Sequence, residues 1–216
     1  DDTIDVNMRA MALAVSSQSY ALADANISGN ALTINGLGDG ADTVSADMFA
    51  GGAALAVSGI SRDMVDLESF FGASYFFGSG DFSASGSSAS AALLFTPSFT
   101  PSYEAYVDLD VENNVMTIDA AGGAGMKKFT ASMGAFGVAL GGEAASMSAE
   151  VMQNTINIIG GEAGNTIDVM LGAFGVAAAT DSYAYAHVDV TNSNAINISG
   201  GAGVDDEINV VLYVIG

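Results

Sequence analysis

Apolar and polar residues alternate with period two along most of this chain. Ile4, Val6, Met8 and Ala10 are separated by Asp5, Asn7 and Arg9, and Val107, Leu109 and Val111 by Asp108 and Asp110. Ile156 and Ile158 flank Asn157, and Ile196 and Ile198 flank Asn197. Successive side chains of a strand point to opposite faces, so each apolar set lines one side of a strand. Helical spacing is confined to residues 61–71, where Ser61 can cap and Asp63 lies in the first turn.

The strands recur in blocks. Asn30-Ala-Leu-Thr-Ile, Asn114-Val-Met-Thr-Ile, Asn154-Thr-Ile-Asn-Ile and Asn194-Ala-Ile-Asn-Ile each run into a glycine-rich segment, and the last three Asn anchors are 40 residues apart. Thr166-Ile-Asp-Val recurs as Thr3-Ile-Asp-Val, with Ser-Tyr following at the same distance in both copies. Gly134-Ala-Phe-Gly-Val-Ala recurs as Gly172-Ala-Phe-Gly-Val-Ala. One unit reads as a long strand, a turn, a second strand, an Asn turn, a short Ile-rich strand and a glycine loop that supplies positive-φ residues. Four units run over 3–40, 42–125, 128–164 and 166–203, followed by a closing strand over 207–215. The second carries an insertion, 60–101, with the helix, an aromatic cluster and a Gly/Ser-rich stretch. A loop of this length is either an interaction element or an excursion held over the sheet by its own aromatics.

The expected fold is all-β: one domain over 1–216, an antiparallel β-sandwich or a solenoid-like stack of about four three-strand units, with one short helix in the insertion. The chain begins and ends on the long-strand type. If each short strand pairs with the next long strand across its glycine loop, an edge is left with unpaired backbone groups. Either the two terminal strands pair within one chain, or the first strand of one copy completes the sheet of the next.

Composition narrows the function. Against 25 Asp and Glu stand 4 Lys and Arg and one His, a formal net charge of −21. Nucleic-acid binding and docking on anionic lipid both need cations this chain lacks. There is no Cys, hence no disulfide and no thiolate chemistry. A mean hydropathy of +0.40 sets it apart from disordered chains, and no apolar run approaches the roughly 20 residues of a membrane helix. The start at Asp1 reads as a processed terminus, which places the protein outside the cell or at its surface after removal of a signal peptide. Strand faces rich in Ala and Gly bury little area each, so such a sheet gains from packing against neighbours.

Candidate chemistry is sparse. Gly200-Gly-Ala-Gly-Val-Asp205, and more loosely Gly36-Leu-Gly-Asp-Gly-Ala-Asp42, resemble the calcium-binding repeats of RTX toxins and secreted proteases. The resemblance implies calcium at Asp39, Asp42, Asp205 and Asp206, and calcium is the one candidate cofactor. It covers a few residues per unit, and the tandem copies that share ions in that family are missing here. The third copy reads Gly125-Met-Lys-Lys128, where no cation is expected. The same acids also suit turns. No carboxylate pair stands out for glycoside hydrolysis, and His187 has no nucleophile motif near it. Asn26-Ile-Ser and Asn197-Ile-Ser match the N-glycosylation pattern. The expectation is therefore no enzyme and no small-molecule substrate. It is a structural subunit of an extracellular filament, surface layer or matrix, a homopolymer joined by strand complementation. Ile4, Val6, Met8 and Ala10 form the assembly strand, and Ile208, Val210, Leu212 and Val214 the acceptor edge. The alternative is a secreted calcium-dependent adhesion or binding module.

Overall fold

The computed structural model describes residues 2–16, 20–56, 103–179, 183–190, 194–200 and 206–216. The expected helix, the 60–101 insertion and Asp205 lie outside the described residues. Within them all regular structure is strand: β1 (Thr3–Ser16), β2 (Tyr20–Ser28), β3 (Ala31–Asn35), β4 (Asp42–Ala56), β5 (Glu104–Glu112), β6 (Val115–Asp119), β7 (Lys127–Gly141), β8 (Ala144–Met152), β9 (Thr155–Ile159), β10 (Asn165–Ala179), β11 (Tyr183–Asp189), β12 (Ala195–Ser199) and β13 (Glu207–Ile215).

The strands form three sheets. Sheet A runs β1-β4-β7-β10-β13, sheet B β2-β5-β8-β11 and sheet C β3-β6-β9-β12. Every pairing is parallel. The antiparallel sandwich is thereby overturned. The chain does not fold back at the glycine loops. It turns a corner into the next sheet and returns one unit later beside its own counterpart, so a short strand never pairs with the following long one. Each turn of the coil is one strand of A, one of B and one of C, repeated four times, and β13 adds a fifth strand to A alone. A parallel neighbour needs a long crossover; here the crossover is the other two sides of the coil.

In-register stacking puts like beside like. Going from β1 to β13, the core-facing rows of sheet A are Ile4–Val44–Phe129–Ile167–Ile208, Val6–Ala46–Ala131–Val169–Val210, Met8–Met48–Met133–Leu171–Leu212 and Ala10–Ala50–Ala135–Ala173–Val214. Sheet B faces them with Val107, Leu109, Met147 and Ala149, and sheet C adds Met116, Ile118, Ile156 and Ile158, all within one buried cluster. Farther along, sheet A carries a column of glycines. A Cβ on Gly52 or Gly137 would meet the Leu109 side chain, and one on Gly175 would meet Met147. The missing side chains let sheet B reach up to the backbone of sheet A.

The corner between sheets B and C explains the Asn anchors. Gly29, Asn113 and Gln153 take positive φ, a conformation unfavourable for the two side-chain-bearing residues. The Asn that follows each offsets this strain. The N–H of Asn30 donates to Oδ1 of Asn114 at 3.0 Å, that of Asn114 to Asn154 at 3.1 Å, and that of Asn154 to Asn194 at 3.0 Å. The side-chain amides of Asn114, Asn154 and Asn194 donate to the carbonyls of Ile27, Val111 and Val151 at 2.7–2.8 Å. The result is a ladder that satisfies the buried backbone of every corner it reaches.

Candidate functional site

The two ends of the coil differ from its middle. β1 and β13 are opposite edges of sheet A with β4, β7 and β10 between them. The terminal strands therefore do not pair with each other, and among the described residues each has a strand neighbour on one side only. The assembly-strand residues Ile4, Val6, Met8 and Ala10 lie half-buried on the core side of β1, packed on the main cluster. The acceptor residues Ile208, Val210, Leu212 and Val214 also face the core side, yet they are 42–59% exposed. Their row partners on β10, Ile167, Val169, Leu171 and Ala173, are 0–2% exposed. The difference arises because β10 faces sheets B and C across the coil, whereas among the described residues no strand of either lies opposite β13.

The corner between sheets C and A holds the acids of the glycine loops. Along sheet A the register aligns Asp42, Lys127 and Asn165. The Lys127 side chain crosses to the preceding turn and is fully buried there. Its Nζ donates to the carbonyls of Gly38 (2.5 Å) and Gly40 (2.6 Å) and to Asp42 Oδ2 (2.7 Å). Asp42 also accepts the N–H of Asp2 at 2.8 Å. The Lys127 hydrogen bond, then that N–H, hold the Asp42 carboxyl below the usual carboxylate range. Thus the ammonium occupies the oxygen cradle of the Gly36-to-Asp42 loop, where the sequence suggested calcium. Asp39 lies apart, exposed, accepting the N–H of Ala124 at 3.3 Å. Asp206 accepts the backbone and side-chain N–H groups of Asn165 at 2.9 and 2.8 Å. Among the described residues no group of three or more His, Asp or Glu side chains is arranged to hold a metal.

The outer face of sheet B is acidic and aromatic. Asp24 stands beside Asp108, and Asp110 beside Glu150. Partial burial and then the charges of Asp108, Glu150, Glu112 and Asp24 push the Asp110 carboxyl up to about 6. Tyr20 leans on Tyr106, while Tyr183, Tyr185 and His187 stack along the edge strand β11. His187 Nε2 lies 3.6 Å from Glu150 Oε1, a contact at the surface. Both glycosylation candidates are exposed: Asn26 donates to Asp110 at 3.5 Å, and Asn197 to Asn157 Oδ1 at 2.9 Å.

The outer face of sheet A is apolar toward its distal half. Phe136 stacks on Phe174 with centroids 4.9 Å apart, in a second cluster with Phe49, Ala53 and Val138. The Tyr213 ring lies over Gly172, where any side chain would collide with it. On the same face the Asp47 carboxyl is buried and accepts the Ser132 hydroxyl; burial pushes it up to about 6. The sequence marks Asp47 as a candidate calcium ligand and Lys127 as a bar to a cation in its own loop; the Lys127–Asp42 pair and the Ser132–Asp47 hydrogen bond were not legible in it, because the partners lie one turn away and only the register brings them together.

Among the described residues no helix is long and apolar enough to cross a membrane. Comparison with protein-family models, with curated proteins and with solved structures finds no match.

Proposed function

We propose that the chain is a structural subunit of an extracellular filament, surface layer or matrix, joined head to tail through the parallel edges of sheet A. One observation carries this reading. The two open edges belong to one sheet, run in the same direction and carry the same core-facing rows, so Ile4, Val6, Met8 and Ala10 of one copy continue the chemistry of Ile208, Val210, Leu212 and Val214 of another. A heterologous contact of this kind does not close on itself and generates a fibre. Open edges and an uncovered apolar end are costly for a coil unless something caps or pairs with them. The net charge of −21 opposes association at low ionic strength, so joining should strengthen as salt screens it. Calcium is not needed for this reading, since the Asp42 carboxylate is engaged by Lys127.

The test is sedimentation and negative-stain microscopy of the 216-residue chain over a range of concentration and salt. Rods one coil wide, growing with both variables and abolished by Val6→Asp in a chain that keeps its strand spectrum, are the expected result. A chain that stays monomeric throughout, or rods indifferent to Val6→Asp, would overturn it.

A further inference from the structure

We propose that the outer face of sheet B is a docking surface for an extended, arginine-rich segment of a partner protein, seated along β8 between walls of tyrosine and carboxylate side chains. The face belongs to a different sheet from β1 and β13, so the docking is independent of head-to-tail joining.

Register lays out the surface. β8 turns Ala144, Ser146 and Ser148 outward, all small. Beside them β5 places Glu104, Tyr106 and Asp108, and β11 places Tyr183, Tyr185 and His187. Small residues flanked on both sides by long ones make a shallow trough, its walls about 9.6 Å apart at two strand spacings. Farther along β8, Glu150 follows, between Asp110 and Asp189. The trough is thus aromatic at one end and acidic at the other.

Its walls are open to a partner. Tyr183 and Tyr185 are 54% and 47% exposed. The rings of Tyr183, Tyr185 and His187 follow one another along β11 nearly parallel, at 15° and 2°. On the other wall the Tyr106 hydroxyl donates to Glu104 at 3.1 Å, which sets a ring and a carboxylate side by side. Large aromatic side chains left in water and rimmed by polar groups mark an interaction surface.

Charge names the occupant. Among the described residues Arg9, Lys127 and Lys128 all belong to strands of sheet A, and sheet B carries no Lys or Arg. Partial burial, then the charges of Asp108, Glu150, Glu112 and Asp24, push the Asp110 carboxyl up to about 6; a cation docked there relieves that crowding. A second copy of this chain, at −21, is repelled. Arginine fits both ends of the trough, because its planar guanidinium stacks on aromatic rings and forks onto carboxylates, whereas lysine brings a point charge. An extended segment repeats its side chains with the same period as the strand beneath it. Arginines at alternate positions therefore come over successive rows, from Tyr106 and Tyr185 at one end to Asp110 and Glu150 at the other.

The probe is a fluorescein-labelled peptide of alternating Arg and Thr, 9 residues long like β8. Its anisotropy is followed against the 216-residue chain at physiological salt. Saturable binding is the expected result. Tyr185→Ala should weaken it about threefold, and Asp108→Asn/Glu150→Gln roughly tenfold, in chains that keep their strand spectrum. Glu162→Gln, which removes an exposed acid between β9 and β10, should leave it unchanged. The same peptide with Lys for Arg should bind about threefold more weakly. No binding, or equal weakening by Glu162→Gln, would overturn the docking. So would indifference both to Tyr185→Ala and to the exchange of Arg for Lys, which leaves only diffuse charge attraction. Binding of a glucosamine oligomer where the peptide has none would overturn it in favour of a polysaccharide. None of these outcomes bears on head-to-tail joining.

Discussion

β10 and β13 are neighbours with matching core-facing residues, yet one is sealed and the other bare. Leu171 is 1% exposed and Leu212, one turn on, is 59%. Neither strand's own sequence causes the contrast. It comes from what stands across the coil, since among the described residues sheets B and C face β10 and not β13. In a coil of parallel strands, burial belongs to complete turns, and an apolar residue is worth its area only when the turn around it closes.

Truncation measures that contrast most strongly. Leu171→Ala should cost about 2–5 kcal/mol by urea denaturation, the range for emptying a sealed site, while Leu212→Ala should cost less than about 1 kcal/mol. Equal losses would mean that β13 is covered in solution. The corner ladder gives the next largest effect. Asn154→Ala strands the N–H of Asn114 and the carbonyl of Val111 in a buried corner, for about 1–3 kcal/mol; Asn30→Ala, at the first turn, should cost about half as much.

The third effect has the opposite sign. Asp47 on the interior strand β4 lines up with Asn7 on the edge strand β1, a buried acid beside an exposed amide. Its folded pKa of about 6 lies above the ordinary 3.8. The folded protein thus binds this proton more tightly than the unfolded chain, so its contribution is complete below pH 4 and is lost as pH rises through 6. Asp47→Asn should raise stability at pH 7 by about 1–2 kcal/mol, the two-unit shift less the altered Ser132 hydrogen bond. The gain should vanish near pH 4. Asp110→Asn should follow the same trend at below about 1 kcal/mol, because solvent and salt screen the face of sheet B.

Much of the coil could be read from the residues, and its direction could not. Alternation at Ile4 to Ala10 or Val107 to Val111 marks a strand and its faces, but it is the same in parallel and antiparallel sheets. The recurring Asn anchors marked the corners. The 40-residue spacing of the last three is also what in-register stacking suits, and the paired Met48–Met133 and Phe136–Phe174 rows repeat that signal in three dimensions. Lys127 shows the other limit. Its neighbours in sequence gave no hint that the ammonium would enter the loop of Gly38 and Gly40, because that contact exists only once turns are stacked. For the ends, the residues of β1 and β13 were legible as apolar strands. That they lie at opposite edges of one sheet follows from topology alone.

The 40-residue spacing of the last three Asn anchors has a consequence for how such a molecule can change size. Duplicating one unit inserts one rung and lengthens the coil by about 4.8 Å, leaving its cross-section and its outermost strands as they were. Length is thereby decoupled from the chemistry of the outermost strands, and a gene that gains or loses whole units yields a longer or shorter coil with those strands unchanged.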